Sequence, residues 1–163
     1  MKTLIFGAGN LLLSDEGFGV HCLRYLQDHF IFPDSVELYD GGTLGIMVTH
    51  KFEEAEQVFI LDTVDAEGEP GDVFCFDRDD IMLSRLPVKL SPHQIGIQEM
   101  LLISEMRGFC PDRLTLFGVI PDSLEAGHEL SSTLCNSLEQ VAGRLVEELR
   151  ASGVVVRERA LAA

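Results

Sequence analysis

Glu16 lies in the stretch GAGNLLLSDEGFGV, Gly7 to Val20, where the apolar run Leu4-Ile5-Phe6 ends in Gly-x-Gly-Asn and Ser14-Asp15-Glu16-Gly17 follows. A strand, a glycine turn and an acidic start to a helix make a ligand crevice in an α/β sheet. The group offered there is a carboxylate, which repels phosphate and suits a metal or a proton. Two more acids follow apolar runs in the same way: Asp40 after Val36 to Tyr39, and Asp62 after Gln57 to Leu61. His93, in Ser91-Pro92-His93, stands at the start of a later helix. Glu16, Asp62 and His93 together supply two carboxylates and one imidazole, a donor set for a borderline divalent ion such as nickel, zinc or cadmium. The helix N-terminus at His93 disfavours the imidazolium and favours the neutral ring that binds metal. Three ligands leave coordination positions open for water or for a partner's ligand.

Each residue also has a plain structural reading. Asp15 and Glu16 complement the dipole of the helix they enter, Asp62 caps a turn with Thr63, and Asp40 before Gly41-Gly42 is an ordinary turn residue. His93 in a first helical turn is most simply a partly exposed structural residue. His21, His29, His50 and His128 have no evident partner and read as structural. Spacing alone does not choose between these readings.

The elements that must position these residues alternate along the chain. Lys2 to Phe6 is a continuous apolar run, as in a parallel strand buried on both faces. Gly17 to Phe30 carries Val20, Leu23, Leu26 and Phe30 at helical spacing, Val36 to Tyr39 is a second strand, and Leu44 to Ala55 reads as a helix. Gln57 to Leu61 is a third strand. Val73 to Phe76 is a fourth, reached by a Gly- and Pro-containing turn too short for a crossover helix, so it is expected at an edge and antiparallel to the third. Ser91 and Pro92 suit the N-cap and first turn of a helix whose stripe is Ile97, Met100, Leu101 and Ile103. Leu114 to Val119 is the fifth strand. Ser131 or Ser132 caps a last helix carrying Leu134, Leu138, Val141, Leu145 and Leu149. The expectation is one α/β domain over residues 1–153, a three-layer α/β/α sandwich on a mostly parallel five-stranded sheet, with a partly disordered tail at 154–163. A first strand in mid-sheet, flanked by the second and third, gathers Glu16, Asp40 and Asp62, and His93 reaches the same crevice.

Composition excludes several classes. The chain has 163 residues, 46% of them hydrophobic, enough for one substantial core. Its formal charge of −15 repels a nucleic-acid backbone and an anionic membrane surface. No apolar run approaches the roughly 20 residues that span a bilayer, so no membrane insertion is expected. The four cysteines form no Cys-x-x-Cys pair, which argues against a zinc ribbon or redox dithiol and for a reducing, cytoplasmic setting. There is no His-Glu-x-x-His and no Gly-x-Ser-x-Gly elbow. Leu12 occupies the third glycine position of a dinucleotide fingerprint, and its bulk opposes pyrophosphate approach.

Taken in order, Gly7-x-Gly9-Asn10, Asp15-Glu16-Gly17-x-Gly19, Asp40-Gly41-Gly42-Thr43, the strand-end Asp62 and His93-x-x-Gly96 resemble the hydrogenase maturation proteases. The resemblance runs from residue 4 to about residue 125. It implies an endopeptidase that removes a short C-terminal extension from the large-subunit precursor of a nickel–iron hydrogenase once nickel has been inserted. It assigns the metal-binding residues to Glu16, Asp62 and His93, and the acidic residue of the Asp-Gly-Gly motif to Asp40. Catalysis falls on Asp40, Glu16 and Asp62, with Gly41, Gly42 and Thr43 as the substrate-binding turn. The nickel arrives with the substrate, zinc or cadmium can replace it in vitro, and the resting protein is a largely metal-free monomer. The family is often classed with aspartic-type peptidases. Two other readings stay open: a non-catalytic nickel carrier or assembly scaffold using the same trio, and an amide hydrolase holding its own metal.

Overall fold

The five strands read from the sequence form one sheet. The computed structural model describes residues 1–42, 49–82, 88–89 and 92–160, and of residues 82, 88–89 and 92–98 the backbone course alone. β1 (Thr3–Ala8), β3 (Val36–Gly42), β4 (Gln57–Thr63) and β8 (Arg113–Val119) are parallel, and β6 (Val73–Asp77) runs antiparallel. Their order is β3-β1-β4-β8-β6. Every residue of β1 and of β4 is buried, as the lack of polar alternation in both runs requires.

The pleat divides the core into two layers. Ile5, Phe59, Leu61 and Phe117 face α1 (Phe18–His29) and α5 (Ser132–Ala151). Leu4, Phe6, Val58, Ile60, Leu114 and Leu116 face the other way, against α2 (Thr49–Glu53), α3 (Arg78–Met82) and α4 (Pro92–Met106). Each Leu or Val buried fully in these layers contributes about 1.5–3 kcal/mol relative to exposure. The result is the three-layer α/β/α arrangement that the alternation of elements predicts.

Several local expectations change. β6 is antiparallel and at an edge, but its neighbour is β8; β8 lies between it and β4. Gly71 and Ile120, bonded through the Gly71 N–H at 2.8 Å, steer the turn past the end of β8. α1 ends at His29, and Phe30 is extended in β2 (Phe30–Ile31). On α4, Met100, Leu101 and Ser104 are buried, whereas Ile103 is 38% exposed, so the inward stripe runs through 100, 101 and 104. The expected second helix is described only over Thr49–Glu53, and Ser91 lies outside the described residues. Within residues 154–160 two residues form a strand and the rest is irregular. β9 (Arg157–Glu158) pairs antiparallel with β2, Val156 is buried, and the Arg159 N–H bonds the His29 carbonyl at 2.7 Å.

Candidate functional site

The chain passes from β1 to α1 and β3 on one side, then returns to β4 on the other, so strand order reverses at β1. Ligands of open parallel sheets lie beyond the carboxyl ends of the strands at such a point. Gly7 is in register with Asp40 on one neighbour and with Leu61 on the other. The turns after β1, β3 and β4 therefore share one rim.

Glycines bring the backbone of this rim together. Gly9 has φ +126°, and a Cβ on it would stand 1.8 Å from the Glu16 carbonyl oxygen. A Cβ on Gly19 would lie 2.1 Å from the Leu61 carbonyl oxygen and 2.3 Å from that of Ala8. The first turn of α1 is thus pressed onto the ends of β1 and β4. Leu12, expected to oppose a pyrophosphate by its bulk, is instead 60% exposed. Between strand and helix the chain makes a single 3-10 turn, Ser14–Gly17, which packs against β4. Glu16 sits on that turn, half-buried, and its N–H bonds the Leu13 carbonyl at 3.1 Å.

Asp62, the penultimate residue of β4, is fully buried, and its Oδ1 accepts from the Thr63 N–H at 2.7 Å. Asp40 is exposed on β3, and its Oδ1 accepts from the Gly42 N–H at 3.1 Å. Gly42 has φ +48°, and its carbonyl accepts the Gly9 N–H at 2.8 Å, joining the turn after β3 to the turn after β1. Gly41 is buried with Phe6 so close that a Cβ would reach within 2.0 Å of the ring. Thr43 lies outside the described residues. His93 is in the first turn of α4, and its side chain lies outside the described residues. A two-residue ribbon, β5 (Asp65–Ala66) with β7 (Val88–Lys89), sets Lys89 opposite Asp65, just past the end of β4. Among the described residues no three His, Cys, Asp or Glu groups could hold a metal ion.

One residue does more than the sequence suggests. Asp15, expected only to complement a helix dipole, is fully buried. Its Oδ2 accepts from the Asp122 and Ser123 N–H groups, both at 2.9 Å, and from Ser131 Oγ at 2.8 Å; its Oδ1 accepts from the Ser131 N–H at 2.7 Å. Ser131 is the N-cap of α5, its Oγ also accepting from the Leu134 N–H at 3.3 Å. Next to Asp15, Ser14 has φ +50° and its Oγ donates to the Glu125 carbonyl at 2.6 Å. The ring of His21 bonds the main chain at His128, and its Nε2 is buried with no hydrogen-bond partner. Burial, then the charge of Arg24, lowers the His21 pKa, against the opposing pull of the His128 bond and of Asp15. The signal for this clamp in the sequence is an acid beside Glu16 and a serine cap after the fifth strand, both destined for the same end of the sheet.

Comparison with known proteins is consistent across sequence and structure. The family model described as "HycI: Hydrogenase maturation protease" matches residues 20–148. The "Hydrogenase 2 maturation protease" of Escherichia coli (strain K12) is 36% identical over 155 residues, covering 94% of each chain. The "Hydrogenase expression/formation protein HupD" of Rhodobacter capsulatus is 36% identical over 160 residues, 98% of this chain and 76% of that one. The solved structure of the hydrogenase maturating endopeptidase HybD from E. coli superposes with a TM-score of 0.92 at 34% identity, covering 98% of both chains.

Proposed function

The chain belongs to the hydrogenase maturation protease family, and from that premise we propose that it is the endopeptidase that removes the C-terminal extension of a nickel–iron hydrogenase large-subunit precursor after nickel insertion. The observation that carries this reading is the packing of the Glu16 turn against β4, the strand that ends in buried Asp62. Glu16 on its turn and Asp62 near the end of β4, with His93 as a third ligand, are the donor set for a borderline divalent ion with open positions. The nickel is part of the substrate, and zinc or cadmium replaces it in vitro. Glu16, Asp62 and His93 hold the metal-loaded end of the precursor, so precursor without nickel binds poorly.

Metal bound there polarises a carbonyl or lowers the pKa of a water. The chain's own task is to orient the scissile peptide and take a proton. Asp40, exposed on the same rim, or one of the two site carboxylates, acts as general base. The enzyme is aspartic-type in that carboxylates do this work. Gly41, Gly42 and Thr43 line the path of the peptide. The protein acts as a monomer in the cytoplasm, a setting that free and exposed Cys75 and Cys135 support.

The test is incubation of the purified chain with precursor large subunit, with and without nickel, followed by intact-mass measurement. A C-terminal peptide is lost only from the nickel-loaded precursor. Glu16→Gln lowers that rate by about 10²–10³-fold, the size of loss found when one electrostatic contact to a reacting group is removed. Full activity of this variant, or no mass change in any mixture, overturns the reading; the second result favours a nickel carrier.

A further inference from the structure

We propose that Asp15 is a positioning residue for the reaction, fixing Glu16 to the loop that follows β8. This rests on the reading of Glu16 as a site residue, and goes beyond it by naming what holds that residue in place. A carboxylate with no exposed surface is costly unless its oxygens are fully hydrogen-bonded. Asp15 meets that demand with the Asp122, Ser123 and Ser131 N–H groups and the Ser131 hydroxyl, at 2.7–2.9 Å. All four donors lie more than a hundred residues away along the chain. Asp15 also donates its own N–H to the Ser123 carbonyl at 3.1 Å.

The clamp continues on either side. Ser14 N–H bonds the Gly127 carbonyl at 3.0 Å, and Gly127 N–H bonds the Leu12 carbonyl at 2.9 Å. Segment 12–15 and segment 122–131 are thus tied by hydrogen bonds along their length, and Glu16 is the next residue along. On its other side Glu16 is confined by Gly9 against its carbonyl and by Gly17, where a Cβ would come within 3.0 Å of Leu11 Cα. A one-turn 3-10 helix has too few internal hydrogen bonds to fix a side chain unaided. The non-local bonds of Asp15 supply that rigidity. They also couple the site to a loop whose Leu124 is 53% exposed and whose neighbour across the clamp, Leu12, is 60% exposed. Misplacement of a reacting group by about 1 Å costs on the order of 100-fold in rate.

The experiment compares Asp15→Asn, Ser131→Ala, Glu16→Gln and Ser137→Ala in the full chain, with nickel-loaded precursor as substrate. Asp15→Asn keeps the shape but turns an amide N–H₂ towards N–H donors. It is expected to lower kcat by about 10- to 100-fold with KM changed less than about threefold. Amide exchange at Asp122, Ser123 and Ser131 rises in the same variant. Ser131→Ala, which removes one bond to Asp15, gives a smaller loss of kcat in the same direction and serves where Asp15→Asn does not fold. Ser137→Ala removes the bond from Ser137 Oγ to the Gly71 carbonyl at 2.7 Å, on the same helix but away from the clamp. Its kcat stays at the wild-type value. Wild-type kcat in folded Asp15→Asn, or an equal loss of kcat in Ser137→Ala, overturns the proposal. Full activity of Glu16→Gln overturns the underlying site reading, a result distinct from either.

Discussion

Two acids stand at the carboxyl end of the sheet, Glu16 in the turn after β1 and Asp40 near the end of β3, and their segments are held by different means. At the end of β3 the side-chain bond is local: exposed Asp40 accepts from Gly42, two residues on, and Gly42 has φ +48°. The turn after β1 is held from a distance, by a buried carboxylate whose partners come from a loop and a helix cap near the other end of the chain. A local bond at an exposed strand end leaves its acid open to solvent. A turn pinned by non-local bonds presents its acid in one place. Under the proposed function, the contrast suits a division in which Glu16 defines a position and Asp40 meets the peptide.

The comparison breaks most sharply at the glycines. Gly9→Ala forces a Cβ to 1.8 Å from the Glu16 carbonyl at φ +126°, and is expected to cost on the order of 3 kcal/mol or more in chemical unfolding. Gly42→Ala faces nothing closer than Asp40 Oδ1 at 4.0 Å and costs only the left-handed backbone, about 1 kcal/mol. Equal losses would show that the two turns are alike.

The acids come next. Asp15→Ala leaves buried N–H donors unmatched and is expected to lower stability by about 2–3 kcal/mol, read from the urea midpoint. Asp40→Ala, at an exposed site, stays within about 0.5 kcal/mol of the wild type while precursor processing falls. A stability loss at Asp40 as large as that at Asp15 would remove the distinction.

The smallest effect sharpens the comparison through pH. Burial holds the His21 pKa below its ordinary 6.5, so the unfolded chain takes up a proton that the folded chain refuses. Stability then falls as pH drops from about 6.5 towards the lowered folded value, and is insensitive to this group above that window. Melting temperatures between about pH 7.5 and pH 5 should show a shallower fall in His21→Asn than in wild type. An unchanged slope would mean that the His128 segment is held without His21.

Much of the fold is legible because burial on both faces leaves unbroken apolar runs. β1, β4 and β8 announce themselves in this way, and the apolar spacing from Leu134 to Leu149 behind Ser131 announces α5. Placement of β1 in mid-sheet follows from the alternation of strands and helices, and with it the shared rim of Glu16, Asp40 and Asp62. What the sequence hides is pairing at a distance. A short turn after β4 sets the direction of β6 but not its neighbour, because the chain steps past the end of β8 before pairing. The tail from Val154 lacks a long apolar run, and two residues suffice for its ribbon with β2. Asp15 is the clearest case: its type suggests a helix dipole, while its role depends on donors that only the folded sheet delivers. The local motif names Glu16; long-range geometry supplies what holds it.

The ribbon of β2 and β9 has a practical consequence. α1 starts at the reactive rim and runs 12 residues away from it, about 18 Å of helix, before β2 begins. Exposed Glu158, paired with Phe30, therefore stands at the opposite pole of the molecule. A fluorophore or surface tether attached through Glu158→Cys, with Cys75 and Cys135 replaced, would leave the rim clear. Immobilised by that pole, the protein would present its carboxylates outward to an incoming precursor.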